Sequence, residues 1–516
     1  MADYSFVNQM SSAGGTNTQG LPTHEEYQNF IRRWKFLNAS YLGGVQYKMG
    51  QYLTKYIFES DADYTNRIAQ TPLDNHCKAV IHIYNSFLFR HEPERDFGSM
   101  EGMPELEQFL KDADMDGRSW KSFIQDVNIQ SSIYGHCCVL VDRPETQVGT
   151  RAEELQQGIR PYVTIYTPEN ILDWSFIRMP SGKYELQYVR FLEQEERSFQ
   201  QDTNYYIRTW TRDEIILESY KPKKSKPIEE IERKPNPLGK IPAVWVYANR
   251  SPIRGIGVSD IGDIGDAQNF LYQLYSEAEQ LIRLTNHPTL VKTAETQASA
   301  GAGAIIEMPA DMDSNLKPYI LQPSGQNLQA ILQTIDETIK AIDRMAHLGA
   351  VRAIETRQMS GVAMQSEFVL LDSKLNEKAK NLELAEEQIW RYFAEWQGMV
   401  FDGEIEYPKA FHFRDKSLDI DILKKAADCN PTDTRVRAAI DIKILDLLEL
   451  DEDELAAIND QRILDLETVS EEANYEMVLP HEMTDPVTGE TRMVTTQEEH
   501  VVLANQGWIH PVYSEE

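Results

Sequence analysis

Residues 260–286 read DIGDIGDAQNFLYQLYSEAEQLIRLTN, residues 326–347 read QNLQAILQTIDETIKAIDRMAH, and residues 360–396 read SGVAMQSEFVLLDSKLNEKAKNLELAEEQIWRYFAEW. The order of these three stretches decides the architecture. In the first, Ile261, Ile264, Ala267, Leu271, Leu274, Ala278, Leu281 and Ile282 recur at helical spacing. Asp260, Asp263, Asp266, Glu277 and Glu279 mark its polar side, and against Arg283 they leave this helix at −4. Ser259 is placed to cap it. His287-Pro288 ends it, because the residue before a proline avoids the helical region. In the second stretch Leu328, Ile331, Leu332, Ile335, Ile339, Ile342 and Met345 form one apolar stripe. Between the two, His287–Pro323 carries short strand-like runs at Thr289–Thr293, Ala304–Met308 and Lys317–Gln322. A β module this small has little core, which predicts support from neighbouring copies. The glycine-punctuated loop Leu348–Gly361 leads into a third helix of about nine turns. There Phe368, Leu375, Leu382, Ile389 and Trp396 recur every seven residues, a seam facing one partner: its own domain or another subunit. Two helices bracketing a small β module, then a loop and a long helix, suit a rod with a tip better than a catalytic pocket.

Upstream, residues 1–22 are rich in Ser, Gly, Thr and Gln and read as a disordered arm. Helical patterns start at Thr23 and return over Tyr64–Ile68, Asp74–Arg90 and Trp120–Tyr134. Strand-like runs follow at His136–Val141, Arg160–Tyr166, Leu186–Phe191, Tyr205–Thr211, Glu214–Tyr220 and Ile241–Tyr247. Lys221–Lys240, rich in Lys, Pro and Glu, reads as a surface loop. The fold class is therefore α+β and multidomain, with a boundary at Asn249–Gly257. Downstream, Ile405–Phe413 reads as extended. Helical patterns occupy Ile420–Asp428, Thr432–Leu448 and Asp453–Leu466, and Asp485–Glu490 is a turn of the kind that tips a hairpin.

At 516 residues the chain is long enough for several cores, and no apolar run approaches membrane-spanning length. Without a secretory signal pattern it is expected to be made in a cytosol. The net charge is −31, and residues 401–516 hold 28 acidic and 10 basic residues, a net −18. Such a chain does not hold nucleic acid by counterion release; duplex DNA would be guided past rather than gripped. Four cysteines, two of them adjacent, make no disulfide framework. His136-Cys137-Cys138 opens an apolar run, so buried strand residues are expected there rather than metal ligands. No phosphate-binding loop, His-Glu-x-x-His, Gly-x-Ser-x-Gly or paired Cys-x-x-Cys is present, and Gly255-Ile256-Gly257-Val258-Ser259-Asp260 lacks the final glycine of a dinucleotide fingerprint. No catalytic residue, metal site or cofactor is expected, although the plentiful single carboxylates leave a carboxylate metal nuclease as an alternative.

One resemblance spans about Tyr27 to beyond Phe413. It is carried by Trp34, Gly43-Gly44, Gly50-Gln51-Tyr52-Leu53, Tyr64-Thr65-Asn66-Arg67, Asp116-Gly117-Arg118-Ser119-Trp120, Gly135 to Asp142-Arg143-Pro144, Arg160-Pro161-Tyr162 and Asn170–Trp174. Its best local match is Asn236-Pro237-Leu238-Gly239-Lys240-Ile241-Pro242-Ala243-Val244, followed by a helix with Asp266, Asn269 and Ser276 at family-like spacing. Ser360-Gly361-Val362-Ala363, opening the long helix, is the next best. In this order the chain resembles the portal proteins of tailed phages. The resemblance implies an α/β wing over residues 23–258, stem helices over 259–286 and 325–347, a β clip over 287–324 and a tunnel loop over 348–361. It implies a long wing helix with a return strand over 362–419, and an α-helical crown and tail over 420–516. It further implies a homo-dodecameric ring at one capsid vertex of the virion, assembled in the host cytoplasm, through which double-stranded DNA passes without sequence specificity. Implied partners are the terminase large subunit, a head–tail adaptor, and the major capsid and scaffold proteins; no membrane is involved. Arg344, His347, Arg352 and Arg357 are the implied channel candidates, with Asp260, Asp263, Asp266 and Glu277 as an acidic stem face. The arginines have a second reading, pairing with Glu355, Asp343 or a neighbouring subunit. Another structural head–tail protein is the nearest alternative.

Overall fold

The computed structural model describes residues 21–144, 153–154, 157–195, 204–221, 228–286, 289–291, 313, 319–321, 325–352, 361–409 and 411, with 423–426, 443, 481–486, 488–496 and a few positions beyond. The chain divides into two compact units, Met1–His412 and Phe413–Glu516.

The first unit opens with helices α1 (Glu25–Leu42), α2 (Gly44–Met49), α3 (Asp61–Gln70) and α4 (His76–Leu88). Short strand β1 (Glu94–Asp96), α5 (Pro104–Lys111) and α6 (Trp120–Tyr134) follow. His24 caps the first helix, its ring accepting from Glu26 N–H. Ser119 caps α6, and Gly135 ends it in the left-handed region at φ 91°.

Two antiparallel sheets come next. Strands β2 (His136–Asp142), β3 (Tyr162–Tyr166) and β9 (Ala243–Tyr247) form one, with β2 central and fully hidden. Burial on both faces explains the unbroken apolar run Cys137–Val141. The second sheet is a meander inserted between β3 and β9: β4 (Ile171–Arg178), β5 (Tyr184–Glu195), β6 (Asn204–Thr211), β7 (Glu214–Tyr220) and β8 (Ile228–Pro235). Strand β8 corrects the surface-loop reading of Lys221–Lys240. Its charges are legible as an edge device, since charged side chains on an edge strand discourage pairing with another chain.

After the small ladder β10 (Asn249–Arg250) with β11 (Gly257–Val258) come α7 (Gly262–Asn286), β12 (Thr289–Val291), β13 (Tyr319–Leu321), α8 (Gly325–Met345), α9 (Gly349–Arg352), α10 (Gly361–Trp396) and β14 (Glu404–Glu406). Strand β14 pairs with β1. Part of the loop expected over Leu348–Gly361 is thus the helical turn α9. In the second unit, β15 (His481–Thr484) and β16 (Thr491–Val494) form a hairpin around the turn expected at Asp485–Glu490. The strand expected at Ala304–Met308, and most of the helices expected over 420–466, lie outside the described residues.

The heptad seam of α10 is spent inside its own unit. Leu375, Leu382 and Ile389 are buried against it, alongside Leu371, Ala385, Trp390 and Phe393. At its C-terminal half Trp390 packs among Phe97, Phe109, Trp120 and Phe393, with ring centroids 4.8–5.6 Å apart. A carboxylate lies within this aromatic cluster. Glu386 accepts from Arg95 Nε at 2.6 Å, Trp120 Nε1 at 2.9 Å, Trp390 Nε1 at 3.2 Å and Tyr407 Oη at 2.6 Å. A buried charge is tolerable only when paired and hydrogen-bonded like this. Gly398, at φ 72°, stops the helix, with Met399 N–H reaching Ala394 O at 2.9 Å.

Truncating Trp390 to Ala should cost about 3–5 kcal/mol, the usual range for a large buried aromatic. In thermal unfolding the expected result is a clear drop in midpoint for Trp390→Ala and little change for the neighbouring, half-exposed Arg391→Ala.

Candidate functional site

Where α7 leaves the body, a knot of polar groups joins four segments. Asp260, expected on an exposed acidic stem face, precedes the helix and its side chain is wholly buried. Lys378 Nζ lies 2.6 Å from Asp260 Oδ2, and Lys374 Nζ 3.1 Å from Oδ1. Asn249 Nδ2 donates to Oδ1 at 2.9 Å, and Lys378 also donates to Ser132 Oγ at 2.8 Å. The two lysines sit one turn apart on α10, which is why both reach one carboxylate. Burial alone would raise the Asp260 pKa, but Lys378 and Lys374 outweigh it and hold the group down at about 2. Beside it, Ser259 Oγ donates to the carbonyls of Ser132 and Ile133 at the end of α6 and accepts from Ile261 N–H, one residue before α7 begins, so it ties the approach to α6 rather than capping the helix as expected.

The same root depends on a close backbone approach. A Cβ on Gly135 would fall 2.5 Å from Gly257 carbonyl carbon, so no larger residue fits between α6 and β11. Gly257 N–H donates to His136 Nδ1 at 3.2 Å. Burial lowers the His136 pKa to about 3, so the ring stays neutral and its nitrogen remains free to accept. The expectation of buried strand residues at His136-Cys137-Cys138 is met.

Helix α7 has two parts. As far as Ala278 it is docked into the N-terminal helices through side chains that alternate with its apolar stripe. Asp266, expected on the acidic stem face, is exposed and takes a two-pronged contact from Arg33, at 2.6 and 2.9 Å. Asn269 accepts from Tyr47 Oη at 3.2 Å, and buried Ser276 accepts from Arg67 Nη1 at 3.0 Å. Gln268, fully buried, accepts from Cys77 N–H and donates to Ser40 carbonyl. The spaced Asp266, Asn269 and Ser276 are therefore anchors to α1, α2 and α3.

Beyond Ala278 the helix emerges, and Ile282, Arg283 and Leu284 are exposed. Helix α8 pairs with α7, with Ile335 and Ile342 buried while most of residues 327–334 is open to solvent. Strands β12 and β13 pair antiparallel at the outer end, Leu290 opposite Ile320. At the inner end Tyr84 Oη donates to Ala346 carbonyl at 2.6 Å and fixes the return of α8 to the body. A file at seven-residue spacing remains exposed along α7: Asp263, Phe270, Glu277 and Leu284. Asp263, Asp266 and Glu277 are thus the members of the expected acidic face that stay exposed, Asp266 in a pair with Arg33, while Asp260 is buried.

Of the expected channel cations, Arg344 is exposed in the last turn of α8. His347 has a backbone role that the sequence did not suggest. At φ 54° it occupies the left-handed position, its N–H reaches Arg344 O, and Leu348 N–H reaches Asp343 O at 2.9 Å, which ends the helix. Arg352 closes α9, and Arg357 lies outside the described residues. Among the described residues no three His, Cys, Asp or Glu side chains gather as a metal-binding group, and no helix is long and apolar enough to cross a membrane.

Two pH-linked outcomes follow from the root. The depressed Asp260 pKa gives stability that is complete above about pH 4 and is lost as pH falls toward 2. The lowered His136 pKa gives stability that is complete above about pH 6.5 and declines as pH falls toward 3, because the unfolded chain takes the proton first. Thermal midpoints measured from pH 7 to 4 should fall for the parent and fall less for His136→Gln, which keeps an acceptor but cannot titrate. Lys378→Met should cost up to about 3 kcal/mol at pH 7 by leaving the buried carboxylate with Lys374 as its one counter-ion, and Asp260→Asn with Lys378→Met should recover part of it.

No protein family and no curated protein matches the chain. Among solved structures it is similar to a chain in the virion of a native gene transfer agent particle, with 9% identity and a TM-score of 0.40 over 70% of this chain and 89% of that one. It is also similar to a chain in the neck of an empty particle of that kind, with 7% identity and a TM-score of 0.43 over 77% of this chain and 98% of that one.

Proposed function

We propose that the chain is a portal-type subunit of a tailed-phage-like virion, forming a ring through which duplex DNA passes during packaging and ejection. One observation carries the reading. Helices α7 and α8 leave an α/β body side by side, bear a strand ladder at their outer end, and return to a long helix packed on that body. This order supports a reading as stem, clip and wing helix. The exposed file Asp263, Phe270, Glu277 and Leu284 supports it, since two apolar residues two heptads apart on a solvent face suit contact with an adjacent helix.

In this reading the body is the wing, α7 and α8 are the stem, and the β12–β13 ladder is the clip. The ring docks the terminase during packaging and an adaptor afterwards. The net charge of −31 suits a conduit, because a wall that bound phosphates tightly would act as a brake. In this reading Arg344, exposed near the inner end of α8, makes brief phosphate contacts. No catalytic step is assigned to the chain.

Negative-stain imaging with mass photometry of the purified protein tests the proposal. The expected result is closed rings of about twelve subunits with a central hole. A species that stays monomeric or dimeric at high concentration would overturn it. The rings should also fail to retain linear duplex DNA at physiological salt, whatever its sequence.

A further inference from the structure

The turn Thr54–Glu59 presents two apolar side chains to solvent almost completely: Ile57 is 93% exposed and Phe58 99%. Its base is nevertheless rigid. Arg67 Nε and Nη2 grip both oxygens of Glu59 at 2.7 and 2.8 Å, Nη2 donates to Thr54 carbonyl, and the guanidinium covers the Tyr56 ring at 4.2 Å. Glu59 N–H closes the turn on Tyr56 O at 3.1 Å. Fixing a turn this firmly only to expose Phe and Ile has a steep hydration cost unless another surface covers them. Three acids flank the pair: Glu59 is taken up by Arg67, Asp61 pairs with Lys55, and Asp63 accepts from Ser60 Oγ.

Elsewhere on the same unit, a cleft of about 540 Å³ opens between the sheets and α10. Phe176, Trp245 and Tyr392 line it, and Leu384 and Val400 stand exposed among its lining residues. Its charged lining is mainly basic: Lys183, Arg212, Lys240, Arg250 and Arg391 against Glu185 and Glu395. A cationic, apolar recess on a chain of net charge −31 complements an apolar knob whose surroundings carry one excess acid, Asp63.

We propose that the Ile57–Phe58 knob of one copy seats in this cleft of the next. Knob and recess are different patches, so the contact is heterologous and propagates around a ring. The inference deepens the ring reading and rests on it.

The test uses full-length protein and three variants: Phe58→Asp, Val400→Asp and Val400→Cys. Because both positions are solvent-facing, the Asp variants should keep the parent's monomer circular dichroism and thermal midpoint. Each should raise the concentration for half-assembly at least about thirty-fold, the scale of losing a buried aromatic anchor. Val400→Cys should resist a thiol reagent in assembled protein and react when Phe58→Asp is added. Parent rings with both Asp variants assembling normally would overturn the knob and leave the ring reading standing. A parent that never assembles would overturn both. A Val400→Cys thiol shielded even in Phe58→Asp monomers would show that the chain covers its own cleft, which also overturns the proposal.

Discussion

The carboxylate of Asp260 must be neutralised in a place where water cannot reach it, and the arrangement of the first unit follows from how that is done. The charge belongs to the residue at which the chain passes from the α/β body into α7. Its two counter-ions come from α10, 114 and 118 residues further on. Ser132 and Asn249 complete the shell from the end of α6 and from the start of the β10–β11 ladder. Such a pair contributes little net stability compared with well-packed apolar residues, because desolvation takes back most of the attraction. Its value lies in direction. An apolar patch tolerates sliding, whereas two ammonium groups on one carboxylate admit few geometries, so the angle at which α7 leaves the body is set relative to α10.

The same division of labour recurs through the unit. Apolar packing supplies adhesion, as in the cluster around Trp390, and one satisfied charge inside each cluster supplies register. Glu386 does this between α10, α6, β1 and the segment after β14. Arg67 does it between the Thr54–Glu59 turn, α3 and the middle of α7. Gln268, with both ends of its amide bonded to backbone, is the neutral version, pinning α7 to α1 and α4.

Much of this was legible in the sequence where the signal is local. The stretch Trp120–Tyr134 shows its cap, its stripe and the glycine that ends it, and it is a helix over those residues. The alternation of Tyr205–Thr211 and Glu214–Tyr220 gives two paired strands. The turn at Asp485–Glu490 announces its hairpin. What escaped depends on partners far away in the chain. Asp260 looks like the first member of an acidic stripe, and only Lys374 and Lys378 reveal that it is internal. Asp266 belongs to the same stripe until Arg33, 233 residues earlier, is placed beside it. The β8 segment misleads for another reason: an edge strand needs few apolar residues, so its composition resembles a loop. Ile57 and Phe58 carry no period at all, and only their exposure distinguishes them from core residues.

The β2–β3–β9 sheet and α10 also fix when this unit can finish folding. Strands β4–β8 pair only with sequence neighbours, so the meander closes through short loops and can form as soon as it has been synthesised. The layer beneath it cannot. Strand β2 waits for β9, and Val141 carbonyl waits for the indole of Trp396, 255 residues later. Until the ribosome has passed α10, the nascent chain holds a finished meander beside an open core. The finished unit therefore appears late in translation. Truncated chains lacking α10 would reach the cell as substrates for chaperones rather than as competent subunits.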